Sequence, residues 1–349
     1  MATAIKRFQR QQQREVSHLT TILEAPDNNS GQYPRRAVHI HDYPKKNVIL
    51  HMTGGGFFAH TIAGDLPYLI DWSGHTDAIV ICPEYALLPE HSYPVALNQI
   101  TDIYASLVSG DAAPLLGFQL DRIIVTGESA GGNLAAALCV KLCLDINGKN
   151  GIAEDFLLSP QSSMISDCDD GDDNDDGDDC SDEQISEFQT NSGDIQNERT
   201  MSNRSRLPDA MMLSCPALNL SLSMSCSRVM GDNDPVLPSG LISAISDAYL
   251  PSSSQNEACK EDPLASPYFA PDSVLRYFPT TLLYASSADP LLDDSVHFNT
   301  RLRQLGVDSD LRAVHHMPHA YWGLGTAGFP EAQVVQSECQ AWLANQFQK

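Results

Sequence analysis

The sequence predicts an α/β fold, a mostly parallel central sheet with helices on both faces, and two observations carry that expectation. From Asn47 onward, short apolar runs rich in β-branched residues alternate with longer segments of helical periodicity. Most of these runs are apolar throughout rather than alternating, as strands covered on both faces require. At 349 residues the chain can bury a full core, so one large domain with insertions is expected.

The strands are read at NVILHM (Asn47 to Met52), AIVICP (Ala78 to Pro83), RIIVTG (Arg122 to Gly127), AMMLSC (Ala210 to Cys215), TLLYAS (Thr281 to Ser286) and LRAVHH (Leu311 to His316). Between and after them, helices are expected over Leu66 to Gly74, Pro94 to Ser109, Ala130 to Asp145, Leu237 to Leu250, Asp293 to Leu305 and Pro330 to Gln346. RRAVHIHDYP, ahead of Asn47, reads as an antiparallel edge strand, and residues 1–40 as an amino-terminal segment or partial cap. Two stretches interrupt the rhythm. Residues 152–205 are rich in Asp, Ser, Asn and Gly and read as a disordered acidic insertion, because little there repays the entropy of ordering. Residues 219–270 have apolar helical content punctuated by proline and read as a small helical cap or lid outside the sheet.

The formal net charge is -24, but the 17 residues from Asp167 to Glu183 hold 11 acidic and no basic side chains. The remainder is still acidic, which argues against nucleic acid or an anionic membrane as partner and favours a neutral or apolar small molecule. Nine cysteines, none in a CxxC pair, read as reduced core residues of a cytoplasmic protein. Residues 1–19 lack the apolar run a signal peptide needs and no run of 18 apolar residues occurs in the sequence, so integral membrane insertion is not expected, while peripheral lipid contact stays open. The sequence does not give the oligomeric state.

The chemistry-bearing motif is Gly127-Glu128-Ser129-Ala130-Gly131, a G-x-S-x-G run that follows a strand and opens a helix. That context is the nucleophile elbow of the α/β-hydrolase fold, in which a strained strand-to-helix turn lifts the serine hydroxyl above the sheet edge. The competing reading is a glycine-rich turn whose serine only caps the helix. Upstream, the first strand ends in Thr53-Gly54-Gly55-Gly56-Phe57-Phe58, a loop able to present amide protons to a developing oxyanion. Gly55, Gly56 and Ala130 are the expected donors. In this fold an acid and then a histidine follow the serine. Asp289 is the first carboxylate after TLLYAS, whereas Asp293 and Asp294 read as carboxylates at a helix start. His319 lies in the loop after the last strand, while His315 and His316 fall within or at the end of that strand. No H-E-x-x-H pattern or cysteine partner supports a metal.

The GGGF loop, PEYALLPEHSYPVAL (Pro83 to Leu97), GESAGGNLA, SRVMGDNDPVLP (Ser227 to Pro238), DPLASP (Asp262 to Pro267), ADPLLDDS and MPHAYW together resemble the hormone-sensitive lipase family of α/β-hydrolases. The resemblance implies hydrolysis of uncharged acyl or lipid esters through Ser129, His319 and Asp289, without metal or cofactor, and a regulatory reading of the acidic insertion. Some members of that family serve as hormone receptors, so a ligand-binding pseudo-hydrolase is one alternative. An amidase or deacetylase on the same residues is another. Three departures stand out: Thr53 replaces the family's usual histidine, Glu128 stands where aspartate is commoner, and the segment before the glycine loop is short. Inside the insertion, Asp172, Asn174, Asp176, Gly177 and Glu183 fit the spacing of an EF-hand calcium loop, although an Asp-Gly repeat meets that spacing easily. Ser181, followed by Asp182 and Glu183, is a candidate for an acid-directed kinase.

Overall fold

Strand registers, more than any local feature, decide where the functional loops meet. A computed structural model of the chain describes residues 43–59, 62–149, 206–250 and 259–349, all within the unit Ile40–Lys349. Among the described residues, six strands form one sheet: β1 (Lys45–Met52), β2 (Ile79–Ile81), β3 (Gln119–Glu128), β4 (Ala210–Ser214), β5 (Thr280–Ser286) and β6 (Ser309–Val314). Their order is β2-β1-β3-β4-β5-β6, and every neighbouring pair is parallel. Met52 lies beside Gly127, Gly127 beside Leu213, Ser214 beside Tyr284 and Ser286 beside Val314. Five strands therefore end at one edge, and the loops that leave them share one crevice.

The strands are apolar because both faces are covered. On β3, Ile123 and Val125 pack with Ile100, Tyr104 and Leu134. Ile124, pointing the other way, joins Tyr68, Trp72 and Trp322. Helices α2 (Val95–Ser109), α3 (Ala130–Lys149) and α5 (Leu292–Gln304) cover the first face; α1 (Ile62–Thr76) and α6 (Pro330–Gln348) cover the second. Helix α3 is buried at every position from Ala130 to Val140, which explains why its sequence shows no polar stripe.

The expected strands and long helices are all present, with displaced ends. Helix α1 begins at Ile62 and α3 runs to Lys149. Strand β6 stops at Val314, so His315 and His316 lie beyond the strand, exposed in the following turn, with His316 at φ 62°. Of the expected edge strand only Tyr43 and Pro44 are described, and neither is in a strand. The partial cap at 1–40, the acidic insertion at 152–205, its calcium-loop pattern and Ser181 lie outside the described residues. Also among the described residues, no helix is long and apolar enough to cross a membrane.

No described residue of 219–270 is in a strand; this stretch holds a short helix at Cys226–Met230 and helix α4 (Ser239–Tyr249). It is clamped to the start of α5. The Arg228 guanidinium donates to the Asp294 carboxylate at 2.6 Å, with both side chains buried. Its Nη1 and Nη2 groups also donate to the carbonyls of Ser223 and Asn219. Asp293 accepts from the Ser227 N–H at 2.8 Å. These aspartates thus do more than open a helix. Burial pushes the Asp294 carboxyl up to about 6 while Arg228 opposes the rise, so the pair depends on its partner. Arg228→Ala is expected to cost about 3–5 kcal/mol by leaving a buried carboxylate unpaired. The urea midpoint measures it, and an unchanged midpoint would contradict the clamp.

Candidate active site

Ser129 leaves β3 at φ 55°, a left-handed conformation that a side-chain-bearing residue adopts only under constraint. The constraint is close packing on both sides. A Cβ on Gly131 would sit 2.0 Å from the Met52 carbonyl oxygen, and one on Gly127 would sit 2.4 Å from that of Gly131. Only glycine fits either position. The Ser129 N–H donates to the Ser214 carbonyl at 2.9 Å, and the Ser129 carbonyl accepts from Ala217 at 3.1 Å. The turn is therefore pinned to the end of β4.

Two later loops reach this serine. His319 Nε2 lies 2.7 Å from Ser129 Oγ, and His319 Nδ1 lies 2.9 Å from Asp289 Oδ2. Asp289 is held in turn, because its Oδ1 accepts from the Leu291 N–H at 2.8 Å. Ser129, Asp289 and His319 are all buried. Burial works to lower the His319 pKa, but the Asp289 carboxylate overcomes it and the net shift is upward. The carboxylate fixes the proton on Nδ1 and leaves Nε2 as acceptor for the serine hydroxyl.

The glycine loop after β1 faces the same point. Gly55 and Gly56 both have positive φ, and the Gly55 carbonyl is occupied by the N–H groups of Phe58 and Ala59. Its brace comes from the PEYALLPEH stretch: the Tyr85 hydroxyl donates to the Thr53 carbonyl at 2.7 Å, and the Leu88 N–H to the Phe57 carbonyl at 2.8 Å. Phe57 stacks on Tyr249 with ring centres 3.7 Å apart. Thr53, the departure from the family pattern, keeps a buried hydroxyl with no hydrogen-bond partner among the described residues. Main-chain bracing thus does what a side chain at this position does not. Gly55, Gly56 and Ser129 line one cavity of about 280 Å³. Gly56, Ser129 and Ala130 line a second, smaller one.

Four polar residues at the site carried no role in the sequence reading. Asp234, in the DNDP run, accepts from the His319 N–H at 2.8 Å and from the Val236 and Leu237 N–H groups. Glu128 Oε1 accepts from the Trp322 N–H at 3.2 Å and the Ser214 hydroxyl at 3.4 Å. Asp65 shares the cavity wall with Glu128 and meets His51 Nε2 at 3.4 Å. Cys215 donates to Asp289, and burial, reinforced by that carboxylate, pushes its thiol well up. Cys215, Asp289 and His319 offer ligand atoms within 4.8 Å of one another. The same three side chains are joined by hydrogen bonds centred on Asp289.

A sequence model of the family described as the alpha/beta hydrolase fold matches residues 49–192 and 193–323. The chain belongs to the α/β-hydrolase fold family. A relative named esterase, from Acinetobacter venetianus, is 26% identical over 286 residues, covering 82% of this chain and 71% of its own. The hormone-sensitive lipase of Homo sapiens is 22% identical over 385 residues, covering 79% of this chain. This chain spans only 36% of that relative's length. The resemblance carried by the motifs thus extends along most of the described sheet. Among solved structures, carboxyl esterase 2 of Tuber melanosporum superimposes with a TM-score of 0.63 at 19% identity, covering 86% of this chain and 78% of that one.

Glu128 gives this α/β-hydrolase a measurable pH signature. Burial and then the nearby Asp65 charge push its carboxyl up to about 8 from 4.5, with His319, the Trp322 N–H and Ser214 acting the other way. A carboxyl that binds its proton more tightly when folded contributes stability at low pH, and loses it as pH rises across that window. Glu128→Gln is expected to flatten the fall in melting temperature over the window. An identical slope in both proteins would contradict the assignment.

Proposed function

We propose that the chain is a serine carboxylic-ester hydrolase that cleaves uncharged acyl esters through an acyl-serine intermediate. Ser129 is the nucleophile, His319 the general base and Asp289 the residue that orients and stabilises the imidazolium. The observation that carries this reading is the unbroken hydrogen-bonded line from Asp289 through His319 to Ser129, at 2.9 and 2.7 Å. It ends at a serine strained into a sharp turn beside a cavity.

The reaction follows from the geometry. His319 Nε2 takes the hydroxyl proton as Ser129 Oγ attacks the ester carbonyl. The negative charge that develops on the carbonyl oxygen is met by the N–H groups of Gly55, Gly56 and Ala130, the last at the start of α3, where the helix dipole favours an anion. His319 then gives its proton to the leaving alcohol oxygen, and water activated by the same imidazole releases the acid. The names of the esterase and lipase relatives support the substrate class. The apolar part of the cavity wall, which includes Val236, Leu237, Leu241 and Ile245, suits an uncharged substrate.

The test is hydrolysis of p-nitrophenyl acetate by wild type and two variants. Ser129→Ala is expected to lower kcat by about 10⁶-fold and Asp289→Asn by about 10³- to 10⁴-fold. Because activity needs neutral His319 and Asp289 raises that pKa, the acid limb of the Asp289→Asn profile is expected to move to lower pH. Turnover undiminished in Ser129→Ala would overturn the reading.

A further inference from the structure

Among the described residues, two cavities of unequal size meet at Ser129, and the proton that His319 must deliver decides which half of an ester occupies each. The larger, about 280 Å³, is lined by His319 and Ala320 as well as Ser129. The smaller, about 30 Å³, shares Gly56, Ser129, Leu237 and Ile245 with it but is also lined by Ala130 and Phe57, and His319 is not among its walls. The leaving oxygen must sit within hydrogen-bond reach of His319 Nε2 to be protonated. That requirement puts the alcohol half in the larger cavity. The acyl substituent, directed away from the base, is left with the smaller one.

We propose that this chain selects short, apolar acyl groups joined to larger alcohols, with Ile242 closing the end of the acyl cavity. The inference rests on the serine-hydrolase reading above. The small cavity holds about two water-sized groups, enough for an acetyl or propionyl tail. Its walls are Ala217, Leu220, Ile242 and Leu291 together with the polar Asn219. The amide of Asn219 is already engaged: its oxygen accepts from Ser221, and its NH₂ donates to Ser223. No polar group of that wall is left to bind a substituted acyl chain. Ile242 belongs to α4 and shows only its edge to solvent, 8% exposed, so trimming it lengthens the cavity without opening the sheet core. The larger cavity combines apolar Leu241 with the carboxyl groups of Asp65 and Glu128, and it has the volume for the bulkier half.

Two isomeric esters with their halves exchanged test this directly, since hexyl acetate and ethyl hexanoate have the same formula and closely similar hydrophobicity. Wild type is expected to show kcat/KM at least about 10-fold higher for hexyl acetate, the discrimination that one or two excess methylenes impose on a closed pocket. Ile242→Val and Ile242→Ala should narrow that ratio in order, with kcat/KM for ethyl hexanoate rising in each variant. The valine variant keeps the comparison available where the alanine variant unfolds. A preference for ethyl hexanoate, or a ratio unmoved by both variants, would overturn the division of the site while leaving a Ser129-dependent hydrolase intact. Absence of turnover on both esters and on p-nitrophenyl acetate would instead overturn the hydrolase reading on which the division rests.

Discussion

Close packing at the end of β3 is the constraint on which the rest of the molecule depends. Ser129 holds φ 55° because the backbone of Gly127 and Gly131 is pressed against neighbours that leave no room for a Cβ. The same pressure joins three strands. Gly131 abuts the end of β1, Ser129 hydrogen-bonds the end of β4, and β3 lies between them in parallel register. Strain of this kind persists only where the surroundings over-determine the backbone. Here they do so with two core clusters on opposite faces of the sheet. The α-helical dipole of α3, the glycine loop after β1 and the histidine loop after β6 all take their positions from that one turn.

Around the turn, three carboxyl groups that water would ordinarily claim, Asp289, Asp234 and Glu128, are buried out of it, and each has its own partners. Asp289 has His319, Leu291 N–H and the Cys215 thiol as donors. Asp234 receives three backbone N–H groups, one of them from His319. Both carboxyl groups thus have hydrogen-bond donors in place of water. Burial, reinforced by the neighbouring carboxyl of Asp65, pushes the Glu128 carboxyl up to about 8. The imidazole thus lies between the Asp289 carboxylate, to which it is hydrogen-bonded, and a Glu128 carboxyl that resists charging. Glu128 also links the turn to the histidine loop through Trp322 N–H, so the electrostatic and mechanical supports of His319 run through the same residues.

How much of this was legible in the sequence follows from the range of each interaction. The strands were, because burial on both faces leaves continuous apolar runs such as Ile123 to Val125, and the short loops that follow them carry Ser129, Asp289 and His319. Helix ends were less so: α1 starts four residues ahead of its expected limit, since Ile62 and Ala63 belong to the helix without adding to an apolar stripe. The end of β6 was misplaced for a related reason. His315 and His316 continue the strand-like composition, but the left-handed turn at His316 is dictated by the loop that must carry His319 back to the serine. The roles of Asp234, Glu128 and Cys215 were not legible, because each depends on partners tens of residues away. The DNDP run was the one signal for Asp234, in a motif whose value at first was only resemblance. The bracing of the glycine loop through Tyr85 was hidden in the same way, since the acceptor is the main chain of Thr53 and not its side chain.

The central claim is that Ser129, and no other hydroxyl, is activated by His319. The most direct measurement is stoichiometric phosphorylation by diethyl p-nitrophenyl phosphate, followed by intact mass and peptide mapping. The account predicts one diethylphosphoryl group per chain, located on Ser129, with activity falling in proportion to the fraction modified. A labelling rate that rises with pH as His319 loses its proton would complete the result. An unmodified chain, or a label on another residue with Ser129 untouched, would contradict it.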